Sequence, residues 1–260
     1  MKKTADRSGL AEDMPLVAHL TELRSRLLRI VLIWMVIFAG LFYFANDLYA
    51  FISEPLRVFL PEGTSMIATD VASPFLTPFK LALVSARFLA MPFILHQLWS
   101  FIAPGLYKHE KRSAVPLLAS SIVLFYAGMA FAYFVVFPLI FGFFTSAAPA
   151  GVAVMTDINK YLDFVLTLFL AFGFAFEIPV ATVLLVLAGV VDVAKLRRIR
   201  PYVLVGCFVT GMVLTPPDVI SQTLLALPMW LLYEVGILFS LLIKPVKKPT
   251  DEDAKDTEQE

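Results

Sequence analysis

The sequence predicts an all-α membrane protein with six transmembrane helices, and three observations carry that expectation. Hydrophobic residues make up 59% of the 260 residues and the mean hydropathy is +0.82, far more apolar than a soluble domain of this length requires. The apolar runs extend for roughly 20 residues, the length that crosses a bilayer as a helix. They do not alternate polar with apolar in stretches of about ten, as the strands of a transmembrane barrel would. Finally, lysine and arginine are placed unevenly. The first, third, fifth and seventh non-membrane segments hold 17 of them and the three intervening loops hold 2, Arg57 and Lys160. Retention of cations on the cytoplasmic side then sets both termini in the cytoplasm.

Taken in order, residues 1–13 are polar and charged and are expected to be a disordered tail. Nearly thirty residues with scattered charge precede the first apolar run, which does not match a cleavable signal peptide. From Pro15 the pattern turns helical: Leu16, Leu20, Leu23, Leu27 and Ile30 recur at spacings of three and four, as on one face of an amphipathic helix entering the membrane. The first span covers about 30–45. A loop over 46–74 carries four acids and is long enough for short helices, with Pro55 and Pro61 as candidate ends. The second span, about 79–102, contains Arg87 and Pro92. The third covers about 117–138, and a loop rich in small residues covers roughly 144–159. The fourth is long, about 161–191, with Glu177 and Pro179 near its middle.

A basic loop, Asp192 to Pro201, leads to a fifth span of only about 14 residues between Pro201 and Pro216. As a helix that reaches ~21 Å, against a hydrocarbon core of roughly 30 Å. Pro216, Pro217 and Asp218 make a tight turn on the outer side. The sixth span, about 223–243, contains Pro228 and Glu234, and the fifth and sixth helices are both expected to be short. The six-helix membrane domain is thus 14–243, and 244–260 is a tail expected to be disordered. The single cysteine, Cys207, lies in an apolar run and allows no intrachain disulfide.

Enzyme chemistry finds little support. His109-Glu110 opens a zinc-binding pattern, but position 113 is Ser113. His19, His96 and His109 are scattered, and there is no phosphate-binding loop or serine elbow. No catalytic, metal or cofactor site is expected. The informative groups are acids in unusual places. Glu22 and Glu110 each sit in a basic cytoplasmic-side segment. They either pair locally, Glu22 with Arg26 and Glu110 with Lys108 or Arg112, or form a two-carboxylate clamp for guanidinium groups, which carboxylates accept as a fork. Glu177 and Glu234 fall inside spans, where an ionisable group costs at least about 2.5 kcal/mol unless shielded. Each is either a neutral carboxyl bonded to a neighbouring helix or part of a functional site. Arg87 either snorkels outward or pairs with an acid such as Asp163.

Four stretches, HLTELRSRL at 19–27, SFIAPGLYKHEKR at 100–112, FGFAFEIPV at 172–180 and the run from Arg200 to Glu234, together resemble the TatC family, receptor subunits of the twin-arginine protein translocase. The resemblance covers about 15–243. It implies that Glu22, Arg24, Phe101, Leu106, Tyr107, Lys108 and Glu110 belong to the site that reads twin-arginine signal peptides. It also implies single-span partners of the TatA and TatB types, docking along the last two helices near Met212, Thr215 and Gln222. The expected setting is the bacterial inner membrane, within a receptor complex holding several copies of the chain. Export there is of folded proteins, driven by the proton-motive force, with no nucleic acid involved. Arg87 departs from the family pattern, where an apolar residue is expected. A different reading, from the residues alone, is a small-solute or ion transporter using Glu177, Glu234 and Arg87.

Overall fold

The computed structural model describes residues 9–58, 66–106, 111–147, 155–215 and 219–242, without the side chains of 9–20, 55–56 and 101–114. Among the described residues the chain is helical: α1 Gly9–Leu41, α2 Ala45–Arg57, α3 Ser73–Leu89, α4 Met91–Leu106, α5 Lys111–Phe131, α6 Phe137–Ser146, α7 Ile158–Ala175, α8 Ile178–Leu187, α9 Val193–Arg198, α10 Arg200–Leu214 and α11 Val219–Leu242. These give six spans. Thr21–Glu54, Val115–Ser146, Ile158–Leu187 and Val219–Leu242 are each long and apolar enough to cross a membrane. The pair α3–α4 crosses as one bent span, and α10 is the short sixth member.

The breaks follow from proline. Between α3 and α4 the axis bends by 45° at Ala90, two residues before Pro92, which has no N–H to continue the ladder. Between α5 and α6 the helix widens into a π turn over Ala132–Val136. Pro138 follows after one intervening residue, Phe137, and the wider turn accommodates the bond it cannot donate. The expected kink of the fourth span occurs at Phe176-Glu177, just before Pro179 at the start of α8. Gly189, at φ 65°, ends α8 in the left-handed conformation, and Val190 N–H returns to Leu185 O at 3.1 Å.

Several expectations need correction. Helix α1 starts at Gly9, so residues 9–13 are helical where a disordered tail was expected. Pro55 lies inside α2 rather than ending it. The basic loop contains the helix α9. Only the fifth span is short: α10 has 15 residues, but α11 has 24, because its helix starts at Val219, four residues before the expected Thr223. Residues 1–8, Pro61, the turn at Pro216, Pro217 and Asp218, and the tail 244–260 lie outside the described residues.

The chain divides into two compact units, Met1–Leu48 with Pro78–Leu118, and Tyr49–Thr77 with Ala119–Glu260. In the first, α1 runs antiparallel to α3–α4. Trp34 Nε1 donates to Leu83 O at 2.8 Å, and the rings of Phe38 and Phe42 meet Phe79 edge-on at 5.3 and 5.9 Å. The second unit has an aromatic core in which Phe137, Phe141, Tyr161 and Phe169 are buried. Tyr161 Oη donates to Ile52 O at 2.7 Å. Helix α11 packs between α8 and α10, with Gly236 against Pro179 and Thr182.

Candidate functional site

The first group of candidate residues sits where α1 and α4 run side by side. Arg26 is the tie: its Nη1 donates to the carbonyl of Gln97 on α4 at 3.0 Å. Its Nε donates to Glu22 Oε1 at 3.2 Å, and its Nη2 donates to the same oxygen. The local pair that the spacing suggested therefore forms. Both contacts fall on Oε1, and the Glu22 side chain is 50% exposed; among the described residues no second donor meets this carboxylate. Arg24, two residues after Glu22, is exposed.

The register of the two helices extends this geometry. Arg26 meets Gln97, Trp34 meets Leu83, and Phe42 meets Phe79, which is an antiparallel progression. One turn before Arg26 is Glu22, and one turn after Gln97 is Phe101. Glu22 is thereby level with the turn of α4 that carries Phe101, and Leu106 ends that helix. Tyr107, Lys108 and Glu110 lie outside the described residues, so a meeting of Glu22 with Glu110 is not observed.

The intramembrane acids have different surroundings. Glu177 stands at the α7–α8 break, and its Oε1 is buried without a hydrogen-bond partner among the described residues. Ser121 on α5 is close enough to act on the carboxyl, yet its own Oγ closes no hydrogen bond either. Glu234 is ion-paired instead: Arg200 Nη2 donates to its Oε2 at 2.6 Å. Sequence reasoning missed this pair, although Arg200 lies at the head of a short helix antiparallel to the one bearing Glu234. Arg87 neither pairs with an acid among the described residues nor leaves the helix surface bare; its guanidinium lies 5.0 Å above the Trp34 ring.

The residues expected to meet partners divide in two. Met212 is 50% exposed. Thr215 is buried and donates to Gly211 O at 2.9 Å, while the Gln222 amide donates to Phe208 O at 2.8 Å, joining α11 to α10. Among the described residues no group of three His, Cys, Asp or Glu is placed to hold a metal ion.

A family model described as Sec-independent protein translocase protein (TatC) matches residues 18–228. The chain belongs to the TatC family. A Sec-independent protein translocase protein TatC of Azotobacter chroococcum mcd 1 is 70% identical over 93% of this chain and 95% of its own length. Its counterpart in Escherichia coli (strain K12) is 60% identical over 89% and 90%. A crystal structure of the twin arginine translocase receptor TatC superimposes with a TM-score of 0.77 at 38% identity, covering 86% of this chain and 98% of that one. The chain is thus a multi-pass component of a Sec-independent protein translocase, and its function is transport.

Proposed function

We propose that this chain is the subunit that binds twin-arginine signal peptides, with Glu22 and Glu110 as the two carboxylates that receive the arginine pair. The observation that carries the proposal is the α1–α4 register. It sets Glu22 level with the turn of Phe101, nine residues before Glu110, and among the described residues only Arg26 pairs with the Glu22 carboxylate. An arginine fork gains more from a carboxylate than lysine can, because two parallel charge-assisted bonds form in one plane. Arg24, Phe101, Leu106, Tyr107 and Lys108 complete the reading surface around the two acids.

The rest of the cycle is binding and movement, with no covalent chemistry. Both termini face the cytoplasm of a bacterial inner membrane, as the distribution of basic residues favours. Single-span partners of the TatA and TatB types dock along α10 and α11, with Met212 the exposed contact and Thr215 and Gln222 bracing the pair from within. Several copies of the chain act in one receptor complex, and the proton-motive force drives export of the folded cargo.

Photocrosslinking from position 101 to a twin-arginine peptide tests the clamp. Glu110→Ala and Glu110→Gln should each lose most of the crosslink while the protein stays in the membrane, and Glu22→Ala should weaken binding by roughly tenfold or more, the worth of a charged hydrogen bond. Full crosslinking in a Glu22→Ala, Glu110→Ala double variant would sink the proposal.

A further inference from the structure

We infer that the notch where α9 and the head of α10 meet α11 is a binding site for an anionic phospholipid. The geometry begins with Arg200, the first residue of α10, whose partner Glu234 stands eight residues before the end of α11. That is about 12 Å along the helix axis. Helix α9 is held beside α11 as well, because Tyr233 Oη donates to Leu196 O at 2.8 Å. The basic segment therefore lies alongside the last turns of α11 and does not stand beyond them.

Between these elements is a cavity of about 350 Å³, lined by Arg197, Arg200 and Glu234 on one side and by Leu231, Leu238 and Leu241 among the apolar walls. The charge there is positive: two arginines, Arg197 and Arg200, line the cavity against one acid, Glu234, and the segment that carries them adds Lys195 and Arg198 to the single acid Asp192. Arg197 is exposed and has no ion pair among the described residues. Arg200 spends one nitrogen on Glu234, and its side chain is still 42% exposed. Its Nε and Glu234 Oε1 are buried without partners among the described residues, so the pair is joined end-on, not as a fork. Glu234 would repel an anion by itself. Bound to Arg200, it instead holds that guanidinium at the notch.

The apolar side decides what kind of anion fits. Leu231, Leu238 and Leu241 are 49%, 60% and 48% exposed and share one face of α11 at helical spacing. Inorganic phosphate would satisfy the arginines and leave the leucines uncovered. A phosphodiester carrying acyl chains satisfies both, and a basic pocket between helices at the membrane surface is where such headgroups bind.

The site can be tested in vesicles without reference to transport. In a Trp34→Phe, Trp99→Phe background, Trp230 remains as the reporter, next to Leu231. Phosphatidylglycerol with brominated chains should quench it as though enriched roughly fivefold over brominated phosphatidylcholine, the preference that one interfacial arginine confers. Arg197→Gln, which leaves the Arg200–Glu234 pair intact, should bring the two lipids close to parity, and Arg198→Gln should change the preference less than twofold. Equal quenching by both lipids in the parent protein would overturn the inference. So would an equal loss in Arg198→Gln, which means diffuse charge, or abolition of the preference by millimolar inorganic phosphate, which means a free-anion site.

Discussion

Arg26 on α1 donates to the backbone carbonyl of Gln97 on α4 at 3.0 Å while holding Glu22 one turn away. One guanidinium thus fixes both the position of the carboxylate and the register of the helices that carry the candidate reading site. Arg26→Lys should not preserve this, since an ammonium lacks the rigid fork that spans carbonyl and carboxylate. We expect Arg26→Lys and Arg26→Gln to lose about 1–2 kcal/mol of stability, read as a lower unfolding temperature in detergent. Spin labels on α1 and α4 should show a broadened distance distribution. An unchanged distribution in Arg26→Gln would show that packing alone sets the register.

The Arg87 guanidinium over Trp34 leads to an expectation that runs against intuition. A cation inside a span costs at least about 2.5 kcal/mol, and a cation–π contact returns about 0.5–2. Arg87→Leu should therefore leave stability unchanged or raise it slightly, while Trp34→Leu should lower it, because the ring both shields the guanidinium and donates to Leu83 O. Thermal unfolding of the two variants in lipid nanodiscs checks the sign. A large loss in Arg87→Leu would mean that the arginine has a structural partner beyond the indole.

Much of this architecture was legible because membrane burial writes itself in composition. The six spans, the short fifth helix and the kink at Glu177 follow from apolar length and proline position. The break at Ala90 was harder to see, since Pro92 is set within an unbroken apolar run. Residues whose significance depends on a distant partner could not be read. Glu234 was visible as an intramembrane acid, but its pairing with Arg200 depends on how far α10 overlaps α11. Asp157 carried no motif, yet its role as a cap and as a clasp on Thr69 is clear once both loops are positioned. Arg87 could be paired on paper with Asp163, whereas an aromatic ring on α1 is what meets it.

Gly236 should be among the least replaceable glycines of the helical core. A Cβ there would meet Thr182 Oγ1 in severe overlap and Pro179 Cα at 2.9 Å. The hydroxyl of Thr182 is committed to Pro179 O at 2.8 Å, and the proline backbone cannot yield without moving the α7–α8 kink. Gly236→Ala should cost about 1–3 kcal/mol by overpacking, visible as a reduced midpoint of thermal unfolding. Gly206→Ala serves as the control, because a Cβ there meets nothing within 4 Å. Equal behaviour of the two variants would show that α8 and α11 can separate at little cost.

Asp157 offers a test by pH. Its Oδ2 accepts from Thr69 Oγ1 at 2.6 Å and from Thr69 N–H at 3.0 Å. Its Oδ1 caps α7 by accepting from the N–H groups of Asn159 and Lys160, both at 2.9 Å. A parallel backbone bridge to Ile67 reinforces the clasp. The Thr69 hydroxyl first, and then the backbone donors, lower the carboxyl pKa to about 2, because each bond favours the charged form. A lowered pKa means that the folded state holds the proton less readily than the unfolded chain. The stabilisation is therefore complete above the ordinary carboxylate range, near pH 4, and is lost as the pH falls through about 2. Spin labels at Ala68 and Asn159 should report a narrow distance at pH 5 that broadens as the pH falls through about 2. Asp157→Ala should be broad throughout, with no titration. Asp157→Asn keeps one acceptor oxygen for two sets of donors, so it should be intermediate and independent of pH over the same window. A wild-type distance that stays narrow well below about pH 2 would mean that the Ile67 bridge, and not the carboxylate, holds these loops together.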